Sequence, residues 1–322
     1  MELQRVPAAG YKIIGLPVRG LVRPLWSLKN IGVMFDFLRS KRKVKAIIQD
    51  FQPQVAVGVG GYASAPTLNA AYSMGIPCLI QEQNSYAGVT NRSLAKKAQK
   101  ICVAYSGMER FFPADKIIMT GNPVRQNLLE NQTSQEEDKK TVLIVGGSLG
   151  ARTVNESVLA HLDDIRKSNV QFIWQTGKYY SQSISEALEK SEAVPNLKVM
   201  DFIGCMDYAY AAADLVVSRA GASSISELCL LGKPCVLVPS PNVAEDHQTQ
   251  NALALSSKDA AIFVADKEAK EKLVQTALET VTNDERLLSL SENVKKLAFL
   301  NSSDIIAEEV YKLAVEYKKR NN

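Results

Sequence analysis

The sequence predicts an α/β protein made of two doubly wound halves, each built on a parallel sheet. Three observations carry this expectation. Short apolar runs alternate with segments of helical periodicity along most of the 322 residues, and such alternation places parallel strands between layers of helices. Three of the strand-to-helix corners are rich in glycine and serine: Val55-Ala-Val-Gly-Val-Gly-Gly-Tyr-Ala-Ser-Ala-Pro66, Val142-Leu-Ile-Val-Gly-Gly-Ser-Leu-Gly-Ala151 and Asp214-Leu-Val-Val-Ser-Arg-Ala-Gly-Ala-Ser-Ser-Ile-Ser-Glu227. A polar stretch without apolar periodicity, Asn131-Gln-Thr-Ser-Gln-Glu-Glu-Asp-Lys-Lys140, divides the alternation and reads as a linker. The length exceeds that of a usual single core. The expected domains are therefore residues 1–133 and 141–301, with a helix at about 302–322 packing back on the first.

Taken in order, the chain opens with Tyr11-Lys-Ile-Ile-Gly-Leu16, an expected strand. A long helical pattern follows from about Asn30 to Asp50, with Met34, Phe37, Leu38, Val44, Ile47 and Ile48 at the spacing of a core-facing stripe. A second line, Leu28, Ile31 and Phe35, continues into Arg39 and Arg42. With Trp26 and the run Arg39-Ser-Lys-Arg-Lys-Val-Lys45 it has the composition of a patch for an anionic membrane surface. A charged, solvated helix face is the competing reading. Strands are then expected at Val55–Gly58, Pro77–Gln81, Ile101–Ala104 and Ile117–Met119, with helices near Ala65–Ser73 and Ala87–Lys97.

The second half repeats the theme with six strands, at Val142–Val145, Phe172–Gln175, Val199–Phe202, Leu215–Val217, Cys235–Val238 and Ile262–Val264. Helices are expected near Arg152–Arg166, Ser181–Lys190, Met206–Ala212, Ser224–Leu231 and His247–Leu255. Three more, about Lys267–Thr282, Glu285–Ala298 and Ser303–Tyr317, follow without strands between them. The two domains are expected to face a cleft lined by the strand C-terminal ends, where ligands of such sheets bind.

Composition narrows the functional classes. With 46% hydrophobic and 22% charged residues the chain can build full cores, and a net charge of +4 gives no reason to expect nucleic acid. The five cysteines form no C-x-x-C pair and most sit in apolar runs, which argues against disulfides and zinc. No group of His, Asp and Glu has metal-ligand spacing, and no apolar run of 18 or more residues is long enough to span a bilayer.

The corner at 214–227 favours an anionic ligand. The run Leu215 to Val217 reads as a buried strand, Gly221 permits a tight turn, and Ser223 and Ser224 are placed to cap a helix whose free amides face the turn. Glu227 lies one helical turn past Ser223, where its carboxylate can accept from ribose hydroxyls. Any parallel-sheet protein has glycine-rich corners, and most bind nothing; it is the repetition of this one that points to a nucleotide. Two rivals can be written down. Gly58-Val-Gly-Gly-Tyr-Ala63 matches G-x-G-x-x-A with Glu82 beyond it, a dinucleotide pattern weakened by the Ala-Pro that opens the next helix. Gly146-Gly-Ser-Leu-Gly150 matches a nucleophile elbow, and Ser148, Asp214 and His247 follow in hydrolase order, although Asp214 precedes its strand. Arg125 follows a strand and a proline-restricted turn, where a guanidinium can neutralise a diphosphate. Gln248, at a helix start, can read sugar hydroxyls, and His161 reads as structural.

Together, Gly60-Gly-Tyr-Ala-Ser-Ala-Pro66, Gln81-Glu-Gln-Asn84, Gly121-Asn-Pro-Val-Arg125, Gly146-Gly-Ser-Leu-Gly-Ala151, Ser218-Arg-Ala-Gly-Ala-Ser-Ser-Ile-Ser-Glu227 and Asp246-His-Gln-Thr-Gln-Asn-Ala252 closely resemble the MurG family, peptidoglycan glycosyltransferases that convert lipid I to lipid II. The resemblance implies a GT-B fold, a UDP-N-acetylglucosamine donor held by the second domain, and lipid I as the acceptor at the first. It implies donor contacts from Asn84, Arg125, Ser148, Ile203, Ala222, Ser223, Ser224, Glu227 and Gln248, with Ser148 on the diphosphate, Ile203 at the uracil and Glu227 on the ribose. Gly60, Gly61, Tyr62 and Glu82 would line the acceptor side, with Glu82 the candidate base. No cofactor and no metal are implied, and the expected location is peripheral, on the cytoplasmic face of the bacterial inner membrane. Family members usually carry His where this chain has Gln81. They also open with a strand and a Gly-Gly-Thr-Gly-Gly-His loop absent here, so Met1 is expected to be an internal methionine of a longer protein. Two further classes share the expected donor: a UDP-sugar epimerase and a non-catalytic nucleotide-sugar binder.

Overall fold

The structure is a computed structural model and describes residues 2–20, 28–129 and 139–321. It divides into two compact units. The first comprises Met1–Gln83, Ala87–Thr120 and Asp304–Asn322, the second Asn84–Tyr86 and Gly121–Ser303.

In the first unit, helix α1 (Glu2–Ala8) leads through an irregular segment to α2 (Lys29–Phe51). The sheet follows: β1 (Ala56–Gly58), α3 (Gly61–Ser73), β2 (Cys78–Glu82), α4 (Val89–Leu94), β3 (Lys100–Val103) and β4 (Ile117–Met119). The four strands are parallel and lie in sequence order. Every residue of β2 is buried, so its apolar part, Cys78 to Ile80, runs without alternation, and Gln81 and Glu82 are buried polar groups at its C-terminal end. Val44 and Ile48 of α2 join Leu68, Ile80, Leu94 and Ile101 in one core. The last helix, α13 (Ser302–Asn321), sets Leu313 against Leu79 and Cys102, with Ile306 and Val310 alongside.

Two expectations for this unit need correction. Tyr11–Leu16 is not a strand: residues 11–20 carry no regular structure, and Tyr11 and Ile14 are exposed. The run pairs with no strand among the described residues. The segment is tied to α2 instead, by Lys43 Nζ donating to the Gly15 carbonyl at 2.9 Å and by Arg19 pairing with Asp36 at 2.6 Å. Met34 and Leu38, expected in the core, are exposed, because the buried face of α2 is set by Ser40, Val44 and Ile48, centred roughly 100° round the helix from them. The division at Thr120 precedes the expected linker. Side-chain bonds from Asn122 and Arg125 to Ser226 and Glu227 hold this segment to the second unit, and of the polar stretch 131–140 only residues 139 and 140 are among those described.

The second unit alternates β5 (Thr141–Val145), α5 (Arg152–Ala160), α6 (Leu162–Lys167), β6 (Gln171–Gln175), α7 (Ser181–Glu189), β7 (Leu197–Met200), α8 (Met206–Ala212), β8 (Leu215–Ser218), α9 (Ala222–Leu231), β9 (Cys235–Leu237), α10 (His247–Ser256) and β10 (Ile262–Phe263). Helices α11 (Asp266–Val281) and α12 (Asp284–Lys295) close it. One expected helix, Arg152–Arg166, is broken at His161, whose ring Nδ1 sits 3.0 Å from the Ser157 carbonyl. All six strands are parallel, in the order β10-β9-β8-β5-β6-β7. The order reverses between β5 and β8. A crevice opens at such a reversal beyond the strand C-terminal ends, where loops leave in opposite directions.

Candidate functional site

Val145 of β5 pairs in register with Ser218 of β8, so the two glycine-rich corners that follow these strands emerge side by side at the reversal point. The first corner, residues 146–151, is shaped by close backbone packing. Gly150 has φ +86°, and a Cβ there would fall 2.2 Å from the Thr176 carbonyl oxygen. Gly177, at φ +83°, faces it equally closely, its own Cβ position lying 2.1 Å from the Gly150 amide nitrogen. Two main chains therefore touch where only glycine fits. Ser148 is exposed on this loop, and no side chain caps α5 behind it.

Gln175, which the sequence reading missed, fixes the loop from below. It is 3% exposed at the end of β6. Its Nε2 donates to the Gly147 carbonyl at 3.0 Å, and its Oε1 accepts from the Ile203 amide at 2.9 Å. One buried carboxamide thus ties the glycine loop to the segment containing Ile203, which is itself buried. The available signal was a polar residue ending an otherwise apolar strand.

The second corner starts its helix earlier than expected. Gly221, not Ser223 or Ser224, is the N-cap of α9, in extended conformation. Ala222, Ser223 and Ser224 form the first turn, with no side-chain cap on the helix. Arg219 anchors the corner: its Nη1 donates to the Val238 and Pro239 carbonyls, each at 3.1 Å, and pairs with Asp266. Asp266 also accepts from Thr153 of α5 at 3.0 Å. A single carboxylate at the start of α11 therefore braces both corners. Neither Arg219 nor Asp266 was singled out from sequence.

Glu227 points its carboxylate at two partners. Oε2 accepts from the Tyr210 hydroxyl at 3.0 Å, and Oε1 from Arg125 Nη2 at 3.0 Å. Arg125, expected at a diphosphate, is thus paired with the carboxylate expected on the ribose. Burial, reinforced by the negative charge of Glu227, pushes the Tyr210 phenol well above its usual range, so it remains a donor.

Gln248, on α10, uses its Oε1 to accept from the Ser240 amide at 2.8 Å. Asn251, three residues on and fully buried, accepts from the Ser85 amide at 2.9 Å and donates to Asn84 Oδ1 at 3.1 Å and to the Ala220 carbonyl at 3.3 Å. It joins residues 84–86 to the corner before α9, and Asn84 belongs to the second unit through this contact.

In the first unit, Gly60 and Gly61 adopt φ +83° and +73° at the start of α3. Tyr62 is exposed and its hydroxyl lies against Gly20, 2.4 Å from where a Cβ would stand. Glu82, the expected base, is 2% exposed. Its Oε2 accepts from the Gly88 amide at 3.0 Å and from Asn91 Nδ2 at 2.9 Å. Those bonds hold the chain that leads into α4.

At the N-cap of α2 and along it, Leu28, Ile31, Met34, Phe35 and Leu38 are all exposed, at 82%, 55%, 59%, 69% and 46%. At 100° per residue they share one face with exposed Arg42 and Lys45. Lys43 is turned away to Gly15. Trp26, expected in the same patch, lies outside the described residues.

The hydrolase arrangement does not form. Asp214 precedes β8 and accepts from the Thr141 amide at 2.7 Å, at the N-terminal edge of the sheet. Ser148 follows β5 at the opposite edge, so the two cannot share a histidine.

Parallel sheets of this order, with glycine corners at the strand reversal, define an α/β protein of the nucleotide-binding type. The chain belongs to glycosyltransferase family 28: its C-terminal domain family matches residues 141–308 and its N-terminal domain family residues 1–103. A UDP-N-acetylglucosamine--N-acetylmuramyl-(pentapeptide) pyrophosphoryl-undecaprenol N-acetylglucosamine transferase of Bacteroides thetaiotaomicron is 62% identical over 325 residues, covering 98% of this chain and 87% of the relative. The protein of the same name from Porphyromonas gingivalis ATCC 33277 is 53% identical over 334 residues, covering 100% and 87%. The crystal structure of Acinetobacter baumannii MurG superposes with a TM-score of 0.77 at 28% identity, covering 97% of this chain and 88% of that one. The Neisseria meningitidis UDP-GlcNAc 2-epimerase, solved with UDP-GlcNAc bound, reaches 0.61 at 16% identity, covering 91% and 84%, and shares the fold alone.

Proposed function

We propose that this chain moves N-acetylglucosamine from UDP-N-acetylglucosamine to the 4-hydroxyl of MurNAc in lipid I, giving lipid II for peptidoglycan synthesis with inversion at the anomeric carbon. The observation that carries this reading is the 62% identity, along 98% of the chain, to a transferase bearing that name. The corners of the second unit support it independently. During the displacement negative charge grows on the departing diphosphate. The loop 146–151 with Ser148, the uncapped first turn of α9 at Ala222, Ser223 and Ser224, and the Arg125 guanidinium supply donors for that charge. Ile203 at the uracil, Glu227 at the ribose, and Asn84 and Gln248 at the sugar complete the donor assignment. On the acceptor side we assign Gly60, Gly61 and Tyr62, with Glu82 as a positioning group rather than a base.

The exposed apolar stripe of α2, flanked by Arg39, Arg42 and Lys45, suits peripheral contact with the anionic cytoplasmic face of the membrane that carries the lipid acceptor. Among the described residues no helix is long and apolar enough to cross a membrane.

Labelled UDP-N-acetylglucosamine with and without a lipid I analogue tests the proposal. Label should pass to the lipid, and UDP should appear only when the lipid is present. UDP released without lipid would indicate the epimerase reaction. Donor affinity without turnover would indicate a binder, and either result overturns the transferase reading.

A further inference from the structure

Glu227 holds its two carboxylate oxygens in different environments. The side chain is 14% exposed, while its Arg125 partner is 55% exposed. Tyr210, by contrast, is 4% exposed on α8 and reaches Glu227 from inside the fold at 3.0 Å. The Arg125 contact on Oε1 is solvent-facing, so its net strength is small and a ligand can replace it. The Tyr210 contact on Oε2 is shielded from water, where a hydrogen bond to a charged group is at its strongest.

We propose that Tyr210 is the positioning residue for recognition of the donor pentose: its hydroxyl pins Oε2 of Glu227, aims the carboxylate, and leaves Oε1 for the ribose hydroxyls. This rests on the donor assignment made above. The chemistry constrains the role further. An ionised carboxylate accepts only, so both oxygens need donors. Tyr210 supplies one from the protein. The ribose supplies the other, displacing the arginine. Because the phenol stays protonated, Tyr210 never repels the carboxylate it orients. A nucleotide lacking both ribose hydroxyls offers Glu227 nothing and would leave the ion pair with Arg125 in place. Tyr210 thereby contributes to the preference for ribonucleotides without touching the ligand.

The test compares binding of UDP and 2′,3′-dideoxy-UDP by calorimetry to the parent, Tyr210→Phe and Glu227→Gln, with thermal midpoints as a control. Tyr210→Phe removes one oxygen and no hydrocarbon. UDP affinity should fall roughly tenfold in Tyr210→Phe, as expected for a bond to a charged group, while dideoxy-UDP binds as to the parent. The preference for UDP should then nearly vanish. KM for the sugar nucleotide should rise with kcat unchanged. A parental preference in Tyr210→Phe overturns the proposal, whether both affinities hold or both drop together. If that preference disappears only in Glu227→Gln, Tyr210 is not the positioning group and the ribose assignment stands. If the parent itself does not distinguish the two nucleotides, the ribose assignment fails and the proposal fails with it.

Discussion

Replacing Gln175 with Leu removes a single buried carboxamide from beneath the glycine loop. Its two bonds, to the Gly147 carbonyl and from the Ile203 amide, contribute about 1 kcal/mol each. Leu fills the volume, but the Ile203 N–H loses its partner in a region where Ile203 is buried, at a cost of about 1–3 kcal/mol. That penalty stands in place of the Ile203 bond's own contribution, so the total is about 2–4 kcal/mol, and at about 2–4 °C per kcal/mol the melting midpoint should fall by roughly 4–16 °C. The loop should also lose its fixed position, so UDP affinity should drop further than that of an apolar probe of folding. Gln175→Glu sharpens the test, because it keeps the acceptor for Ile203 and loses the donor to Gly147. At 3% exposure a carboxyl is pushed above its ordinary range, and only its protonated form donates. The Glu variant should therefore recover affinity at acid pH and lose it as pH rises through the raised value. Differential scanning fluorimetry with calorimetric UDP titration from pH 5 to 8 measures both quantities. Parental UDP affinity and melting in Gln175→Leu would refute the bracing role.

Two further predictions concern the corners and the surface. Arg219→Met should destabilise the second unit by about 2–4 kcal/mol, somewhat below the range for a broken fully buried pair, since Arg219 and Asp266 are 16% and 19% exposed. Adding Asp266→Asn should then cost less than it does alone, and additive effects in denaturant unfolding would show the pair to be uncoupled. Replacing Ile31 and Phe35 with Ser should weaken co-sedimentation with anionic vesicles at least tenfold, as removal of about 1.5–3 kcal/mol of apolar transfer per side chain implies, while UDP affinity holds. Unchanged sedimentation would remove α2 from the membrane contact.

The parts of the fold legible in the sequence were those encoded locally. Strands such as Cys78–Glu82 and Leu215–Ser218 are buried on both faces, so their first three residues appear as unbroken apolar runs, and the helices between the strands carry their periodicity openly. Tyr11–Leu16 deceived because apolar content alone does not supply a neighbouring strand. Met34 and Leu38 deceived because one helix carries two apolar stripes, and its sequence does not say which of them meets the core. The helix at the second corner begins at Ala222, since Gly221 needs no side chain to act as its N-cap.

By itself the sequence determined the alternation of elements, the glycine corners and the family likeness carried by six motifs. Which polar groups meet was decided only by the tertiary structure. Tyr210 finds Glu227 at a separation of 17 residues, Gln175 finds Gly147 at 28, Arg219 finds Asp266 at 47, and Asn251 finds Ser85 at 166. Hydrogen bonds over such distances leave no periodic trace in a sequence. The first three join elements of the parallel sheet β10-β9-β8-β5-β6-β7, which brings loops remote in the chain to the same end of the sheet.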